Sequence, residues 1–389
     1  MPPYLLWLAL GAFAIGTEAF MIAGLLPAIA RDLAVPVPVA GQLVTAFSLS
    51  YAISSPLLAV ATGGVERKRL LAGAIAAFAI GNALAGLAES YATLFAARIA
   101  LALAAGLFMP AASAYAVTAV GPERRGRAIA LVYSGLTIST VIGVPLGALV
   151  GEHVGWRWTF FLVALLALPA LFGILAALPR RAGNAGATLG QRIAVARRPE
   201  VLAMLGQTSL ALGGAFTLYT YLAPFLARAA GIEGSSLAAV LLLFGLASAG
   251  GNFMGGIVAD RLNPRRYLAG LFLLLAAVFS LMSVFALSLP PAYAAAPALL
   301  GIALWGLFGW SFPAVQQSRL VALDPPLSPV ILSLNASATY VGSGLGAVLG
   351  SLVVSATSPA ELGFAAAALE LLGFALLMRS ARRAAPALA

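Results

Sequence analysis

No cysteine occurs anywhere in the chain, which removes disulfides, thiolate metal sites and cysteine nucleophiles together. One histidine, His153, leaves no histidine metal cluster. There is one lysine, Lys68, and charged residues make up only 9% of the sequence, against roughly 25% in an ordinary soluble domain. Paired intramembrane aspartates, a His-Glu-x-x-His helix, a serine with an adjacent base and a Gly-Lys-Thr phosphate loop are also missing. Those absences argue against a membrane-embedded hydrolase and against direct coupling to ATP. The first residues, MPPYLLWLAL, carry no basic segment, so no cleaved signal peptide is expected.

What is present is apolar. Hydrophobic residues make up 62% of the chain and its mean hydropathy is +1.02. A protein of that composition has too little polar surface to face water, so a polytopic membrane protein is expected. The formal charge of +10 points to nucleic acid only where arginines cluster on one soluble face. Here they fall in short bursts between apolar runs, and no nucleic-acid partner is expected.

One of those bursts divides the chain. Residues 179–199, PRRAGNAGATLGQRIAVARRP, hold five arginines, three glycines and no acid. The flanks, 1–178 and 200–389, resemble each other. Gly143, Gly147 and Gly151 are answered by Gly342, Gly346 and Gly350; Gly106-Leu-Phe-Met-Pro110 by Gly309-Trp-Ser-Phe-Pro313; and Lys68-Arg-Leu-Leu-Ala-Gly73 by Arg265-Arg-Tyr-Leu-Ala-Gly270. Each match recurs about 200 positions later and in the same order, the mark of a duplicated unit joined by a basic linker.

A helix needs about 20 apolar residues to cross a bilayer. Twelve candidates follow: 5–30, 40–62, 70–88, 91–119, 128–151, 158–178, 201–228, 236–259, 267–288, 292–318, 329–355 and 360–379. The weakest divisions are at Glu89-Ser-Tyr91 and Pro290-Pro291. With both termini cytoplasmic, eighteen basic residues fall inside and three (Arg31, Arg157, Arg228) outside, with Arg98 in a span. That bias satisfies the positive-inside rule. The glycine triplets, with Pro145, place small residues on one helix face, where another backbone packs closely. Whether the same face also seals the two halves against each other stays open.

Gly16-Thr-Glu-Ala-Phe-Met-Ile-Ala-Gly-Leu-Leu-Pro27, Gly155-Trp-Arg-Trp-Thr-Phe160 and the glycine-rich run 135–151 resemble the major facilitator superfamily. Within it the chain is similar to twelve-span bacterial drug:proton antiporters, the branch with arabinose-type sugar, purine ribonucleoside and chloramphenicol exporters. The loop signature is kept as Gly256-Ile-Val-Ala-Asp260-Arg261-Leu-Asn-Pro-Arg265-Arg266. It is degraded, without an aspartate in register, at Gly63-Gly-Val-Glu-Arg-Lys-Arg69. The resemblance implies an all-α fold of two pseudo-symmetric six-helix bundles, 1–178 and 200–389. It also implies alternating access at a bacterial inner membrane, no cofactor, and a monomer that suffices.

Ionisable residues inside a membrane are functional candidates by default. Glu18 lies about 20 Å from the inner surface and Arg98 about 10 Å from the outer one, at ~1.5 Å per residue, so the two share a depth. The resemblance puts the first and fourth spans on a central cavity, where Glu18 would carry the proton with Arg98 beside it. A static buried ion pair is the alternative. Related first spans often carry the acid one residue later, at the position of Ala19, which leaves open whether Glu18 faces the cavity. Glu370 is expected on the periphery as a structural residue, and His153 in a solvated loop.

A substrate cavity is expected from Phe20, Met21, Phe108, Met109, Gln207, Tyr219, Trp305, Trp310 and Gln316, since adaptable apolar surfaces with a few amides suit amphipathic ligands. For gating, Asp260 is expected to latch onto Arg127 or the start of the fifth helix, with a local pair to Arg261 or Arg265 as the alternative. The function expected is proton-coupled export of small amphipathic compounds or drugs. Sugar or nucleoside export, resting on Gln207, Asn252, Gln316, Gln317 and Asn335, is the alternative, and a non-transporting membrane sensor the remote one.

Overall fold

The computed structural model describes residues 1–183 and 187–384; residues 184–186 of the expected linker lie outside that set, as do the side chains of Arg382 and Arg383. Among the described residues every regular element is helical, and twelve helices are long and apolar enough to cross a membrane. They are α1 (Leu5–Asp32), α2 (Val37–Ala61), α3 (Arg67–Gly86), α4 (Tyr91–Thr118), α5 (Arg125–His153) and α6 (Trp156–Ala177). The second set is α7 (Pro199–Tyr219), α8 (Ser235–Arg261), α9 (Pro264–Ser288), α10 (Pro291–Leu323), α11 (Ser328–Ala356) and α12 (Pro359–Ser380). In a membrane every backbone polar group must be satisfied within the chain, which is why long helices serve here.

Local chemistry explains the divisions that the sequence left weakest. Ser90 caps α4 through a reciprocal capping box with Thr93, ending the run from α3. Pro290 caps α10 and Pro291 starts it, where a missing N–H costs nothing. The seventh span is not continuous. α7 stops at Tyr219 and a short helix resumes at Leu222–Ala230; Pro224 cannot donate to the Thr220 carbonyl, so the chain turns there. Two further irregularities are π-turns, at Ser139–Gly143 within α5 and Trp305–Gly309 within α10.

The glycine triplets are packing surfaces within each set of six. Gly143 faces Thr17, Gly147 faces Met21 and Gly151 faces Leu25, so the triplet of α5 lies on α1. Gly342 faces Ser209, Gly346 faces Gly213 and Gly350 faces Thr217, so the triplet of α11 lies on α7. A Cβ at Gly143 would strike the Thr17 hydroxyl, and one at Gly346 the Gly213 carbonyl. Pro145 is buried beside the first triplet. Close contacts between the two sets lie on other residues: Gly245 of α8 against Thr140 and Val141 of α5, and Gly344 of α11 against Ser48 and Leu49 of α2.

Those cross-contacts define a closed end. Toward the face away from the linker, Tyr221 Oη and Ser351 Oγ both donate to the Pro38 carbonyl at 3.4 and 3.1 Å, and His153 lies 3.5 Å from Ser235. His153 is exposed, as expected of a solvated residue, although it ends α5 instead of lying in a loop. Deeper in, Tyr51 stacks on Tyr340 with ring centroids 3.7 Å apart, and Asn252 donates to Thr137 at 3.2 Å. The linker is anchored on both sides. Arg181 donates to the Thr118 carbonyl at 2.7 Å. A short helix, Leu189–Ala196, follows; Arg192 in it donates to Ser333 at 2.6 Å, and Arg198 pairs with Asp324 at 2.7 Å.

Candidate functional site

Glu18 and Arg98 meet. Both side chains are fully buried, and the Arg98 guanidinium donates to a Glu18 carboxylate oxygen. Arg98 also donates through Nε to the Leu43 carbonyl at 3.2 Å and lies 4.5 Å over the Phe47 ring. Glu18 therefore points between α2 and α4. The other carboxylate oxygen, Oε2, and the other guanidinium nitrogen, Nη2, have no hydrogen-bond partner among the described residues. An ion pair this deep is expensive to break from one side, because the survivor is left charged in apolar surroundings.

A separate cleft opens two residues along α1. It is lined by Phe20, Phe216, Tyr219, Phe244, Trp305 and Trp310, with Glu370 in its wall. The rings form a continuous set: Phe20 lies 5.8 Å from Trp310 and 6.0 Å from Tyr219, both edge-on, and Phe244 lies 4.7 Å from Trp305. The cavity volume is about 60 Å³. A bound molecule of drug size would have to part the rings. Glu18 does not line this cleft; the neighbouring register carries Phe20 into it.

Four of the nine residues expected at a substrate cavity share this cleft: Phe20, Tyr219, Trp305 and Trp310. The other five lie elsewhere. Met21 is buried against Gly147 of α5, and Phe108 against Gly11 of α1, while Met109 is buried in the core. Gln207 and Gln316 are taken up in a buried polar network. Arg319 donates to both amide oxygens, at 2.8 and 2.7 Å, Gln316 donates to the Met204 carbonyl at 2.8 Å, and Thr208 donates to Asn335 at 2.7 Å. Three of the five amides that suggested sugar or nucleoside recognition, Gln207, Gln316 and Asn335, are thus engaged by Arg319, Thr208 and the Met204 carbonyl.

The expected latch is not formed. Asp260 and Arg127 are both exposed, and among the described residues Asp260 makes no ion pair with Arg127, Arg261 or Arg265. Arg265 turns the other way and donates to the Leu377 carbonyl of α12 at 3.3 Å. Asn263, not an acid, caps α9 by accepting from the Arg265 and Arg266 amides. The motif Gly155 to Phe160 builds a clasp at the opposite face. Gly155, at φ 111°, turns the chain as only glycine does readily. Trp156 and Arg157 then both reach Asp32, and Arg157 also holds the Ala88 carbonyl at 3.0 Å.

Comparison with known proteins decides the family. The Major Facilitator Superfamily profile matches residues 8–321. The chain belongs to the Major Facilitator Superfamily. Among its relatives, the uncharacterised MFS-type transporter YbcL of Bacillus subtilis is 35% identical over 91% of this chain and 90% of its own length. The chloramphenicol resistance protein of Streptomyces lividans is 39% identical over 68% of each chain. In fold the chain is similar to a bacterial homologue of the human lysosomal transporter Spinster, solved inward-facing and occupied, with a TM-score of 0.82 at 18% identity over 97% of this chain and 96% of that one. Proteins of this superfamily are secondary transporters, not enzymes, and this one is a multi-pass protein of the bacterial inner membrane.

Within that superfamily member, Glu370 is the residue that sequence reasoning set aside. It is fully buried, and neither carboxylate oxygen has a hydrogen-bond partner among the described residues. α12 packs closely on α7 at Gly214, where a Cβ would sit 2.8 Å from Glu370 Oε1. With no side chain at Gly214, the acid on α12 has room to reach the cleft. The paired glycines Gly213-Gly214 were the available signal.

Proposed function

We propose that the protein is a proton-coupled antiporter that exports small amphipathic compounds or drugs by alternating access between two pseudo-symmetric six-helix bundles, 1–178 and 200–389, with both termini cytoplasmic. The observation that carries this reading is the buried Glu18–Arg98 ion pair inside the first bundle. A proton on Glu18 removes the attraction holding α1 to α4 and leaves Arg98 with the Leu43 carbonyl alone, which biases the two helices toward another arrangement. The half-satisfied state of both groups leaves them room to exchange partners.

The substrate class follows from the cleft. Six aromatic side chains and very few hydrogen-bonding groups favour amphipathic molecules over sugars, and the relative named for chloramphenicol resistance fits that class. With the linker cytoplasmic, the contacts across the far face favour an inward-facing reading, in which Asp260 and Arg127 form no ion pair. The latch between them belongs to the outward-facing state.

The test uses inverted membrane vesicles energised to an acid interior, with a dye reporting proton leakage as drugs, sugars and nucleosides are added. Substrate-induced proton release in the wild type and its absence in Glu18→Gln is the expected result. Release in both retains antiport and moves the carrier off Glu18. No release from any compound contradicts the proposal.

A further inference from the structure

We infer that the cleft is a binding site for lipophilic organic cations, with Glu370 as the counter-charge and the surrounding rings as a cation cage; the inference rests on the amphipath-export reading above and adds the charge of the substrate. The first observation is the acid itself. Glu370 is fully buried, neither oxygen has a partner among the described residues, and it stands in the wall of the cleft. A carboxylate held that way is costly to leave uncompensated. It needs a proton or a cation.

Among the described residues no cation of the protein supplies one. The other titratable side chain lining the cleft is Tyr219. On the helices packed against α12, the nearest arginines sit toward the linker face. Arg265 binds the Leu377 carbonyl and Arg319 is held by Gln207 and Gln316. Leu377 is two helical turns from Glu370 and Gln207 two turns from Gly214, about 10 Å in each case. Arg98, the buried cation of the other bundle, is already engaged with Glu18.

The second observation is the ring set. Phe20, Phe216, Tyr219, Phe244, Trp305 and Trp310 come from α1, α7, α8 and α10 and surround one space. Ring faces attract a cation, most strongly when water is excluded. A single acid among rings, without a fan of hydrogen-bond donors, matches a diffuse positive charge in an apolar shell: a quaternary ammonium or phosphonium, or a protonated hydrophobic amine. An anion would meet Glu370 directly, and a sugar would find few partners.

The test is equilibrium dialysis of the purified full chain in detergent with two labelled probes of similar shape, tetraphenylphosphonium and neutral triphenylphosphine oxide, corrected with empty micelles. Wild type is expected to bind both. Glu370→Gln should weaken tetraphenylphosphonium about tenfold or more and leave triphenylphosphine oxide within about twofold, while Glu370→Asp keeps the preference for the cation. Should Glu370→Gln not be recoverable folded, Trp310→Leu, which leaves the acid in place, should weaken the cation more than the neutral probe. Equal loss of both probes in these variants, or an unchanged cation affinity in Glu370→Gln, overturns the inference. Wild type binding only the neutral probe overturns the cation assignment and leaves amphipath export standing; wild type binding neither removes both.

Discussion

Glu18 and Glu370 are both fully buried glutamates within membrane-spanning helices, yet their surroundings are opposite. Glu18 is joined to Arg98, and its guanidinium partner is fixed in turn by Leu43 and Phe47. Glu370 has no partner among the described residues and borders an aromatic cleft. The first acid is compensated by the protein and suits a switch between packed states. The second is uncompensated and suits something that arrives from outside. Depth and residue type do not separate the two; what stands within reach does.

The largest effect should come from breaking the pair from one side. Arg98→Met leaves Glu18 buried without its cation, and a loss of about 3–5 kcal/mol is expected, read as a lower unfolding midpoint in detergent. The double variant Glu18→Gln with Arg98→Met should recover most of that loss. A single variant as stable as wild type would remove the idea that the protein compensates Glu18.

Gly214→Ala sharpens the other side. A Cβ there meets Glu370 Oε1 at 2.8 Å and the Ala366 carbonyl at 2.9 Å, so a loss of about 1–3 kcal/mol from overpacking is expected. Tetraphenylphosphonium affinity should fall with it as the carboxylate is displaced. Full cation affinity in a folded Gly214→Ala protein would show that Glu370 does not need this position.

Glu370→Leu tests the contrast from the apolar side. Because no partner is left stranded, stability should change by less than about 1 kcal/mol or rise, against the marked loss at Arg98→Met. A fall of similar size in both would erase the distinction between the two acids.

The smallest effect is expected at Asp324, whose pair with Arg198 lies at the linker and is open to solvent. The Arg198 hydrogen bond holds the Asp324 carboxyl below its ordinary value of 3.8. Its folded-state affinity for a proton is thus lower than in the unfolded chain. Its contribution is complete above about pH 4 and fades as pH falls through the lowered value. Asp324→Asn should remove that acid dependence with little change at neutral pH, because solvent screens exposed pairs. An acid profile unchanged in the variant would mean that the pair carries none of it.

Much of the architecture was legible because the bilayer imposes a strong and simple constraint on composition. Apolar runs long enough to span, punctuated by Ser90 and Pro290, mark the twelve helices. The break at Tyr219 to Leu222 was not legible as such, since Pro224 inside an apolar run is also compatible with a kinked continuous helix. The ion pair was legible from shared depth together with the resemblance, which puts the first and fourth spans on one cavity. Which way Glu18 points was not, because at 100° per residue its facing depends on Arg98, which is itself held by the Leu43 carbonyl. Met21, Phe108 and Met109 were assigned to a cavity by residue type, and packing against Gly147 and Gly11 took the first two into the interior. Gln207 and Gln316 have the chemistry of ligand-binding amides, but Arg319 is near enough to use both. Glu370 was discounted by the position of its helix in the bundle, when the decisive feature was the missing side chain at Gly214.

The most direct measurement places both acids in one assay. Inverted vesicles with an acid interior would carry wild type, Glu18→Gln or Glu370→Gln, and proton release would be followed on adding either tetraphenylphosphonium or neutral triphenylphosphine oxide. Wild type should release protons with each compound, Glu18→Gln with neither, and Glu370→Gln with triphenylphosphine oxide alone. Release by Glu18→Gln, or loss of both responses in a folded Glu370→Gln protein, would contradict the division between a coupling acid and a substrate-facing one.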